Sequence, residues 1–216
     1  MTIKNVEVGH YSIPLPVVLS DSMHGDMASF ELMTARILDD EGREGLGYTY
    51  TLGAGARAIH SVMQSDMAPF LMDRDETRIE EIWHGLWWKL HYAGRGGLVI
   101  HALSAVDIAL WDLLGKRTSL PLWRLLGGAD AKVKAYAGGI DLMFSLDDLL
   151  AQTDQNLSKG FRAIKMKVGR DNLHEDVERI KTMRNHLGSG FPLMVDANMR
   201  WTVDDGIRAA RAFREF

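Results

Sequence analysis

The 216-residue sequence predicts an α+β region followed by alternating strands and helices of a parallel sheet. Three observations lead to this prediction. Alternating apolar runs near the start indicate an antiparallel meander, and apolar residues at spacings of three and four then indicate helices. After Gly127-Gly128 the order strand, helix repeats three times, which is typical of parallel sheets with right-handed crossovers. A content of 46% hydrophobic and 25% charged residues is that of a globular chain.

The first region begins with strands. The run 30–38 alternates as a strand should, the run 45–51 is a second segment of β-prone residues, and Val6 and Val8 lie near the start. A polar turn over 39–45 separates the two longer runs, and 20–26 is a second polar, glycine-containing loop. These features predict a small antiparallel meander.

Two helices are predicted next. Apolar spacing predicts an amphipathic helix over 79–90. The segment 99–114 is apolar almost all round, which predicts a buried helix whose end is marked by Gly115 and Pro121. No apolar run approaches the ~20 residues that span a bilayer. The net charge of −4 gives no electrostatic footprint for nucleic acid or an anionic membrane, so neither is an expected partner. The absence of cysteine fits a reducing compartment, and we expect a cytoplasmic protein.

The second region contains three β/α units. Strands are predicted at 133–139, 161–169 and 192–198, each followed by a helix, the first and third opened by Ser145 and Thr202. A closed barrel of such units needs eight of them and about 250 residues. An open three-stranded sheet would leave an edge strand bare. We therefore expect the sequence to be a portion of a longer chain.

Lys165 and Lys167 lie on one face of the second predicted strand. Both faces of a parallel sheet are usually covered, so the two ammonium groups should repel each other and resist desolvation, which predicts lowered pKa values. A lysine with a lowered pKa can act as a general base. The same spacing also fits two solvated lysines on a wet face, and that alternative stays open.

Asp196 and Asn198 follow an apolar run at the carboxyl end of the third predicted strand. Ligands bind at that end of parallel α/β sheets, and a carboxylate there can hold a hard cation such as Mg²⁺. Alternatively, the two residues cap the next helix. Because two successive strands present a paired base and a metal-type ligand from the same end, the functional interpretation is favoured.

Four segments together resemble the enolase superfamily, in its mandelate racemase/muconate lactonizing enzyme branch. Segment 104–116 resembles the signature helix that closes the family's capping domain, and 120–128 resembles the connection into the barrel. Lys165-Met-Lys167 resembles the Lys-x-Lys motif of the second barrel strand, and Val195-Asp-Ala-Asn198 resembles the third-strand metal-ligand segment. The resemblance covers the whole chain.

The resemblance implies an N-terminal α+β capping domain over 1–130. It further implies that 131–216 begins a C-terminal (β/α) barrel of TIM type, of which only about the first three β/α units are present. Two further acidic metal ligands and a His–Asp dyad would lie beyond Phe216. We therefore expect the 216-residue portion alone to be inactive.

The resemblance also implies roles for individual residues. Lys167 would be the base that removes a proton α to a carboxylate, with Lys165 as its electrostatic partner. Asp196 would be the first ligand of an essential Mg²⁺, with Asn198 beside the metal or the substrate.

Two capping-domain loops of the family cover the substrate. They correspond to the loop from Asp21 to His24 and the loop from Tyr48 to Thr51. The implied substrate-binding residues are Asp21, His24, Tyr48, Tyr50 and Thr51.

Within the branch, segments 13–16, 45–50 and 192–201 are most similar to acid-sugar dehydratases of the galactarate/talarate type. This implies a Mg²⁺-dependent hydro-lyase that converts an acid sugar to a 2-keto-3-deoxy acid. The implied substrate is an aldarate or another sugar acid, and the implied assembly is a homo-oligomer. Three alternatives stay open: a racemase or epimerase of a 2-hydroxy acid that uses the same enediolate, a catalytically inactive truncated paralogue, and a lysine Schiff-base lyase.

Overall fold

The computed structural model describes all residues, Met1–Phe216, in two compact units. The first unit comprises Met1–Pro14 and Ser29–Lys132, and the second comprises Leu15–Ala28 and Val133–Phe216. The segment Leu15–Ala28, the tip of the first hairpin, is thus grouped with the β/α units. No local pattern in the sequence reveals this, because the packing partner of a hairpin tip is not encoded in its own residues.

The first unit is built on a sheet with the strand order β1-β2-β3. The strands are β1 (Ile3–Asp21), β2 (Gly25–Asp39) and β3 (Glu44–Thr51), with β2 and β3 antiparallel, so the predicted meander is confirmed. The loop predicted at 20–26 is wrong in extent. Only 22–24 form a turn, because β1 and β2 continue as one long hairpin on either side of it.

A mostly helical segment follows the sheet. It contains α1 (Ala56–Val62), a π-helical turn (Met63–Met67), α2 (Ala68–Leu71) and then α3 (Ile79–Lys89). The helix predicted at 79–90 is confirmed. The helical run over 56–71 is not predicted by periodicity, because its π-helical turn breaks the 3.6-residue repeat.

The central helix of the first unit is α4 (Leu98–Thr118), followed by the short α5 (Leu122–Leu125). The helix ends between the two predicted end signals, Gly115 and Pro121: α4 continues to Thr118 and stops at Ser119, which has a φ of 54°. The expectation that no apolar segment could span a bilayer is also corrected. By length and composition alone, α4 is long enough and apolar enough to cross a membrane. Its inner face is buried in the core of this unit, which is the behaviour of a core helix.

Two glycines let β3 lie directly against α4. A Cβ at Gly45 would lie 2.0 Å from the carbonyl oxygen of Ala109, and a Cβ at Gly47 would lie 1.9 Å from that of Ala105. Real Cβ atoms essentially never approach so closely. The contact between this strand and the helix backbone therefore depends on the missing side chains.

The second unit contains the three β/α units that the sequence predicts. They are β4 (Ala137–Gly138) with α6 (Leu146–Ser158), β5 (Ile164–Lys167) with α7 (Leu173–Leu187), and β6 (Leu193–Asp196) with α8 (Val203–Phe213). The sheet order is β4-β5-β6 and both pairs are parallel. All three strands are shorter than predicted, because the ladder between β4 and β5 covers only two residue pairs and the ladder between β5 and β6 covers only four.

The helix starts of the second unit follow the capping signals of the sequence. Ser145 accepts a hydrogen bond from the Asp148 N–H, and Thr202 forms a capping box with Asp205. Both predicted caps are confirmed. Apolar side chains of α6 and α7, among them Leu149, pack with the strand residues Ile164 and Met166 to form the core beneath the sheet.

The close contact between β3 and α4 gives a test of the fold. We expect Gly47→Ala to lower the free energy of unfolding by about 3 kcal/mol, because the added methyl group must displace backbone atoms in a packed core. Urea denaturation followed by circular dichroism measures the change.

Gly96→Ala is the matched control in the same unit, because a Cβ there meets nothing within 4 Å. Its effect should stay within about 0.5 kcal/mol of zero. Equal stability of the two variants would contradict the close packing of β3 on α4.

Candidate active site

The register of β5 and β6 brings the predicted site residues together. Lys167 pairs with Asp196 across the parallel ladder, and Lys165 pairs with Met194 two residues earlier. Lys167 and Asp196 are the last residues of their strands, so their side chains lie at the carboxyl edge of the sheet. That edge is where parallel α/β sheets bind ligands.

Both lysines bind the same carboxylate oxygen. The Nζ atoms of Lys165 and Lys167 each lie 3.0 Å from Asp196 Oδ2. The Lys167 side chain is 8% exposed, whereas those of Lys165 and Asp196 are 25% and 29% exposed. The interpretation of two solvated lysines on a wet face is therefore wrong for Lys167, which is buried.

The charges of this cluster shift its pKa values. Burial alone would raise the pKa of Asp196, but hydrogen bonds from Lys167, the Asn198 N–H and Lys165 outweigh burial and hold that pKa far below its ordinary value. The hydrogen bond to Asp196 raises the pKa of Lys165 above its ordinary value, against the effect of burial. The expected lowering of the Lys165 pKa is wrong, because the carboxylate compensates the repulsion between the two ammonium groups.

Asn198 completes the cluster through an unusual backbone conformation. It has a φ of 51°, in the left-handed region that asparagine tolerates better than most residues. In this conformation its N–H donates to Asp196 Oδ1 at 2.8 Å, and its side-chain oxygen accepts from Lys167 Nζ at 2.8 Å. Asn198 thus faces the cluster and does not cap α8, which is capped by Thr202.

The hairpin tip presents Asp21 and His24 as a pair. The buried Asp21 carboxylate accepts from the N–H groups of Met23 and His24, and His24 Nδ1 lies 2.8 Å from its Oδ2. Burial raises the pKa of Asp21, but these hydrogen bonds outweigh burial and bring it below its ordinary value. The carboxylate therefore stays charged and fixes the orientation of the imidazole.

The hairpin tip is hydrogen-bonded to the ends of the parallel strands. The Ser20 N–H donates to the Ile140 carbonyl oxygen at 3.3 Å, and Ser22 Oγ donates to the Ala197 carbonyl oxygen at 2.8 Å. Ala197 is the residue between Asp196 and Asn198. The Asp21–His24 pair is thereby attached to the edge that carries the lysine cluster.

The remaining predicted substrate residues lie in the first unit. Tyr48, Tyr50 and Thr51 are on β3, and more than half of the surface of each tyrosine is exposed. The Tyr50 ring lies 5.6 Å from that of Phe30. Their proposed contact with substrate stays a prediction.

A cavity of about 400 Å³ opens beside the hairpin tip in the second unit. Its lining includes Ser20, Asp21, Ser22, Arg170 and Arg200, but neither Lys167 nor Asp196. The lysine cluster therefore lies outside this cavity.

The sequence interpretation missed three buried charged residues near the strand ends. Asp141 accepts a hydrogen bond from the Lys167 N–H, Asp176 accepts from the N–H groups of Gly169 and Arg170, and Arg179 donates to the Asp141 carbonyl oxygen. Asp141 could have been found by its position three residues after β4, since polar residues at carboxyl ends of parallel strands are candidate site residues. Asp176 and Arg179 have no such signal, because they lie within the periodic pattern of α7.

The oxygen donors of the cluster are of the chemical type that hard cations bind. Asp196 is held ionised and Asn198 offers an amide oxygen, and Mg²⁺ prefers such ligands, often with only one or two protein carboxylates. The chain assembles no cluster of three or more His, Cys, Asp or Glu side chains able to hold a metal ion. By the type of its donor atoms, Asp196 is therefore a candidate ligand for such a cation.

Comparison with known protein families matches both parts of the chain. Residues 4–127 match the model of the mandelate racemase/muconate lactonizing enzyme N-terminal domain. Residues 148–216 match the enolase C-terminal domain-like model.

Two similar proteins of known activity cover almost all of the chain. The 3,6-anhydro-α-L-galactonate cycloisomerase of Streptomyces coelicolor is 56% identical over 99% of the chain, and the L-talarate/galactarate dehydratase of Salmonella typhimurium is 35% identical over 94%. The chain spans only 59% and 52% of the lengths of these two relatives.

Solved structures are similar over the same part of the chain. A racemase from Streptomyces coelicolor A3(2), crystallised with bound magnesium, is 56% identical with a TM-score of 0.96, covering 99% of this chain and 60% of its own. The Salmonella typhimurium L-talarate/galactarate dehydratase, crystallised with Mg and L-lyxarohydroxamate, is 34% identical with a TM-score of 0.93, covering 99% of this chain and 56% of its own. The chain belongs to the mandelate racemase/muconate lactonizing enzyme branch of the enolase superfamily, whose fold joins an α+β capping domain to a TIM-type barrel.

Proposed function

We propose that this chain is part of a Mg²⁺-dependent enzyme that removes the proton α to the carboxylate of an acid sugar and then breaks the carbon–oxygen bond at the β position. The product is a 2-keto-3-deoxy acid. The observation that carries the proposal is the cluster of Lys165, Lys167 and Asp196 at the carboxyl edge of the sheet.

Lys167 has the position of the base. Its Nζ donates to Asp196 and Asn198, which are the contacts of the protonated form, so two of its three N–H groups are engaged. As a base, Lys167 first loses one proton and then accepts the substrate proton at the same Nζ atom. Lys165 places a second positive charge beside Asp196 and favours negative charge on a bound substrate.

Asp196 would hold the metal together with ligands from the rest of the enzyme. When bound, Mg²⁺ would stabilise the negative charge that develops on the substrate carboxylate as the α proton leaves. Asn198 lies beside this position and can donate its amide N–H groups to a substrate oxygen, since its amide oxygen is occupied by Lys167.

The domain assignment completes the proposal. Residues 1–130 would form the capping domain, and residues 131–216 would supply the first three β/α units of the barrel. Asp21, His24, Tyr48, Tyr50 and Thr51 would bind the hydroxyl groups of the substrate.

A second candidate differs only in the leaving oxygen. If the β oxygen is a hydroxyl group, it leaves as water and the enzyme is a dehydratase. If it is the oxygen of a 3,6-anhydro ring, it stays attached to the product as a hydroxyl group and the reaction is a cycloisomerisation. The 56% identity to a 3,6-anhydro-α-L-galactonate cycloisomerase favours this candidate, and the L-talarate/galactarate dehydratase supports the first.

Racemisation is the third candidate, and it is supported by the similar Streptomyces coelicolor structure described as a racemase. It shares the first proton transfer and returns a proton to the same carbon from the opposite face. A catalytically inactive fragment would perform none of these steps.

Product analysis separates the candidates. The enzyme that contains this chain is incubated in D₂O with Mg²⁺ and either galactarate, L-talarate or 3,6-anhydro-L-galactonate. We expect a ketone, detected with semicarbazide, because the α proton and the β oxygen are both lost from their carbons. Loss of one water in the product mass indicates dehydration, and an unchanged elemental composition indicates cycloisomerisation.

Deuterium incorporation at the α carbon without a ketone would instead show racemisation. A folded enzyme that contains this chain, yet neither exchanges the α proton nor binds Mg²⁺, would refute the proposed function.

Replacement of the base tests the role of Lys167. We expect Lys167→Met to reduce α-proton exchange by about 10²–10⁴-fold, the usual contribution of a general base, while Mg²⁺ binding is retained. Exchange is followed by NMR in D₂O. Lys159→Met, which changes an exposed lysine of the same unit, should exchange at the unaltered rate; undiminished exchange in Lys167→Met would exclude Lys167 as the base.

Removal of the carboxylate charge tests the role of Asp196. In the protein that shows proton exchange, we expect Asp196→Asn to weaken Mg²⁺ binding by about tenfold or more, since even residues that only support a metal ligand have effects of this size. Isothermal titration calorimetry measures the affinity. Asp204→Asn, at an exposed position in the first turn of α8, is the control, and equal affinities of the two variants would show that Asp196 is not a ligand.

A further inference from the structure

We infer that Asp141 is a positioning residue for Lys167, an inference that rests on the proposed role of Lys167 as the base. Asp141 is only 1% exposed, and its Oδ1 accepts a hydrogen bond from the backbone N–H of Lys167 at 2.9 Å. It lies on the loop between β4 and α6, in the same unit as the lysine cluster. It contacts the backbone of the base and not its reactive Nζ atom.

The Asp141 carboxylate takes the place of a backbone acceptor that the short strand β4 does not supply. The ladder between β4 and β5 ends at the pair Gly138 and Lys165, and the last backbone bond on that side runs from the Gly139 N–H to the Lys165 carbonyl oxygen. Successive N–H groups of a strand point to opposite sides, and the Val168 N–H donates to the Asp196 carbonyl oxygen on the β6 side. The buried Lys167 N–H therefore points toward β4, where Asp141 supplies the acceptor that the short strand lacks.

Two helices hold Asp141 in place. Gln152 of α6 donates from Nε2 to Asp141 Oδ2 at 2.8 Å. Arg179 of α7, itself buried, donates from Nη2 to the Asp141 carbonyl oxygen at 2.9 Å, and the same nitrogen lies 3.9 Å from Oδ1. The position of the Lys167 backbone is thus coupled to both helices that flank β5 in the chain.

Glycine at position 139 leaves the space that this arrangement requires. A Cβ at Gly139 would lie 1.6 Å from Asp141 Oδ2 and 2.7 Å from Gln152 Nε2. A Cβ at the neighbouring Gly138 would make only ordinary contacts of 3.5 Å or more. An added methyl group at Gly139 must therefore displace the Asp141 carboxylate, whereas a methyl group at Gly138 leaves it in place.

A second buried carboxylate fixes the backbone just beyond the base. Asp176 Oδ2 accepts from the N–H groups of Gly169 and Arg170, at 2.8 and 3.1 Å. The segment from Lys167 to Arg170 is consequently held by buried carboxylates at its start and at its end. Such fixation matters for catalysis because small displacements of a reacting group cause large losses in rate.

The first experiment compares Gly139→Ala with Gly138→Ala by amide hydrogen exchange of the intact chain, followed by NMR. We expect Gly139→Ala to accelerate exchange at the Lys167 amide by about tenfold or more relative to the Val168 amide, because a hydrogen bond to a charged acceptor is lost. Val168 is the internal reference, since its N–H bonds to β6 and responds only to general destabilisation. Gly138→Ala should leave the ratio unchanged; an unchanged ratio in Gly139→Ala would overturn the inference.

A pair of polar variants tests the same contact if Gly139→Ala does not fold. In Asp141→Asn, an amide oxygen turned toward the Lys167 N–H places the amide N–H₂ against Gln152 Nε2, so two donors face each other. We expect the exchange ratio of Lys167 to Val168 to rise. The double variant Asp141→Asn/Gln152→Glu restores both an acceptor for that amide and the negative charge near Arg179, so the ratio should return; failure of this rescue in a folded double variant would contradict the inference.

Steady-state kinetics then separates positioning from folding. In the protein that shows α-proton exchange, Asp141→Asn should lower kcat while KM stays within about twofold, because the contact orients the base and does not bind substrate. A rise in KM without a fall in kcat would overturn the inference.

Failure of the proposed function and failure of this inference give different results. Retained α-proton exchange in Lys167→Met would refute the proposed function alone. The ratio of amide exchange at Lys167 to that at Val168 reports on Asp141 whether or not that function holds.

Discussion

The candidate site depends on one carboxylate that binds two ammonium groups. Two lysines on the same face of a strand would repel each other if nothing lay opposite them, but the parallel register places Asp196 across from Lys167, and its Oδ2 lies 3.0 Å from both Nζ atoms. The carboxylate stays ionised because three hydrogen bonds outweigh the effect of burial on its pKa. It also raises the pKa of Lys165, and this one carboxylate holds a triad of side chains, Lys165, Asp196 and Lys167. In the proposed enzyme, a cation bound to Asp196 would weaken its hydrogen bonds to both lysines and would thereby couple metal binding to the proposed base, Lys167.

The surroundings of the triad are arranged to hold backbone as well as side chains. Asn198 adopts a left-handed conformation that directs its N–H to Asp196 and its amide oxygen to Lys167. Asp141 accepts a hydrogen bond from the Lys167 N–H where the ladder to β4 ends. Ser22 of the hairpin tip donates to the carbonyl oxygen of Ala197, the residue between Asp196 and Asn198. These contacts come from four different segments of the chain, so the site is assembled by the fold of the second unit and not by any one motif.

The comparisons are consistent with a single chemical theme. The relatives include a cycloisomerase and a dehydratase of acid sugars, and one similar structure is described as a racemase. Removal of an α proton next to a carboxylate is a step that all three reactions can share. The lysine pair and Asp196 are the residues that we propose for that step in this chain, whereas the choice of leaving oxygen would depend on groups that face the rest of the substrate.

The sequence by itself determined the order of strands and helices in the second unit, the caps at Ser145 and Thr202, and the lysine, aspartate and asparagine of the cluster. These features are local, because side-chain alternation, helix capping and strand-end polarity depend on a few consecutive residues. Only the tertiary structure decided that the hairpin tip belongs with the β/α units, that Lys165 has a raised pKa, and that Asp141 holds the Lys167 backbone. Each of these depends on atoms that are far apart in the sequence and meet only when the register of the parallel strands is set.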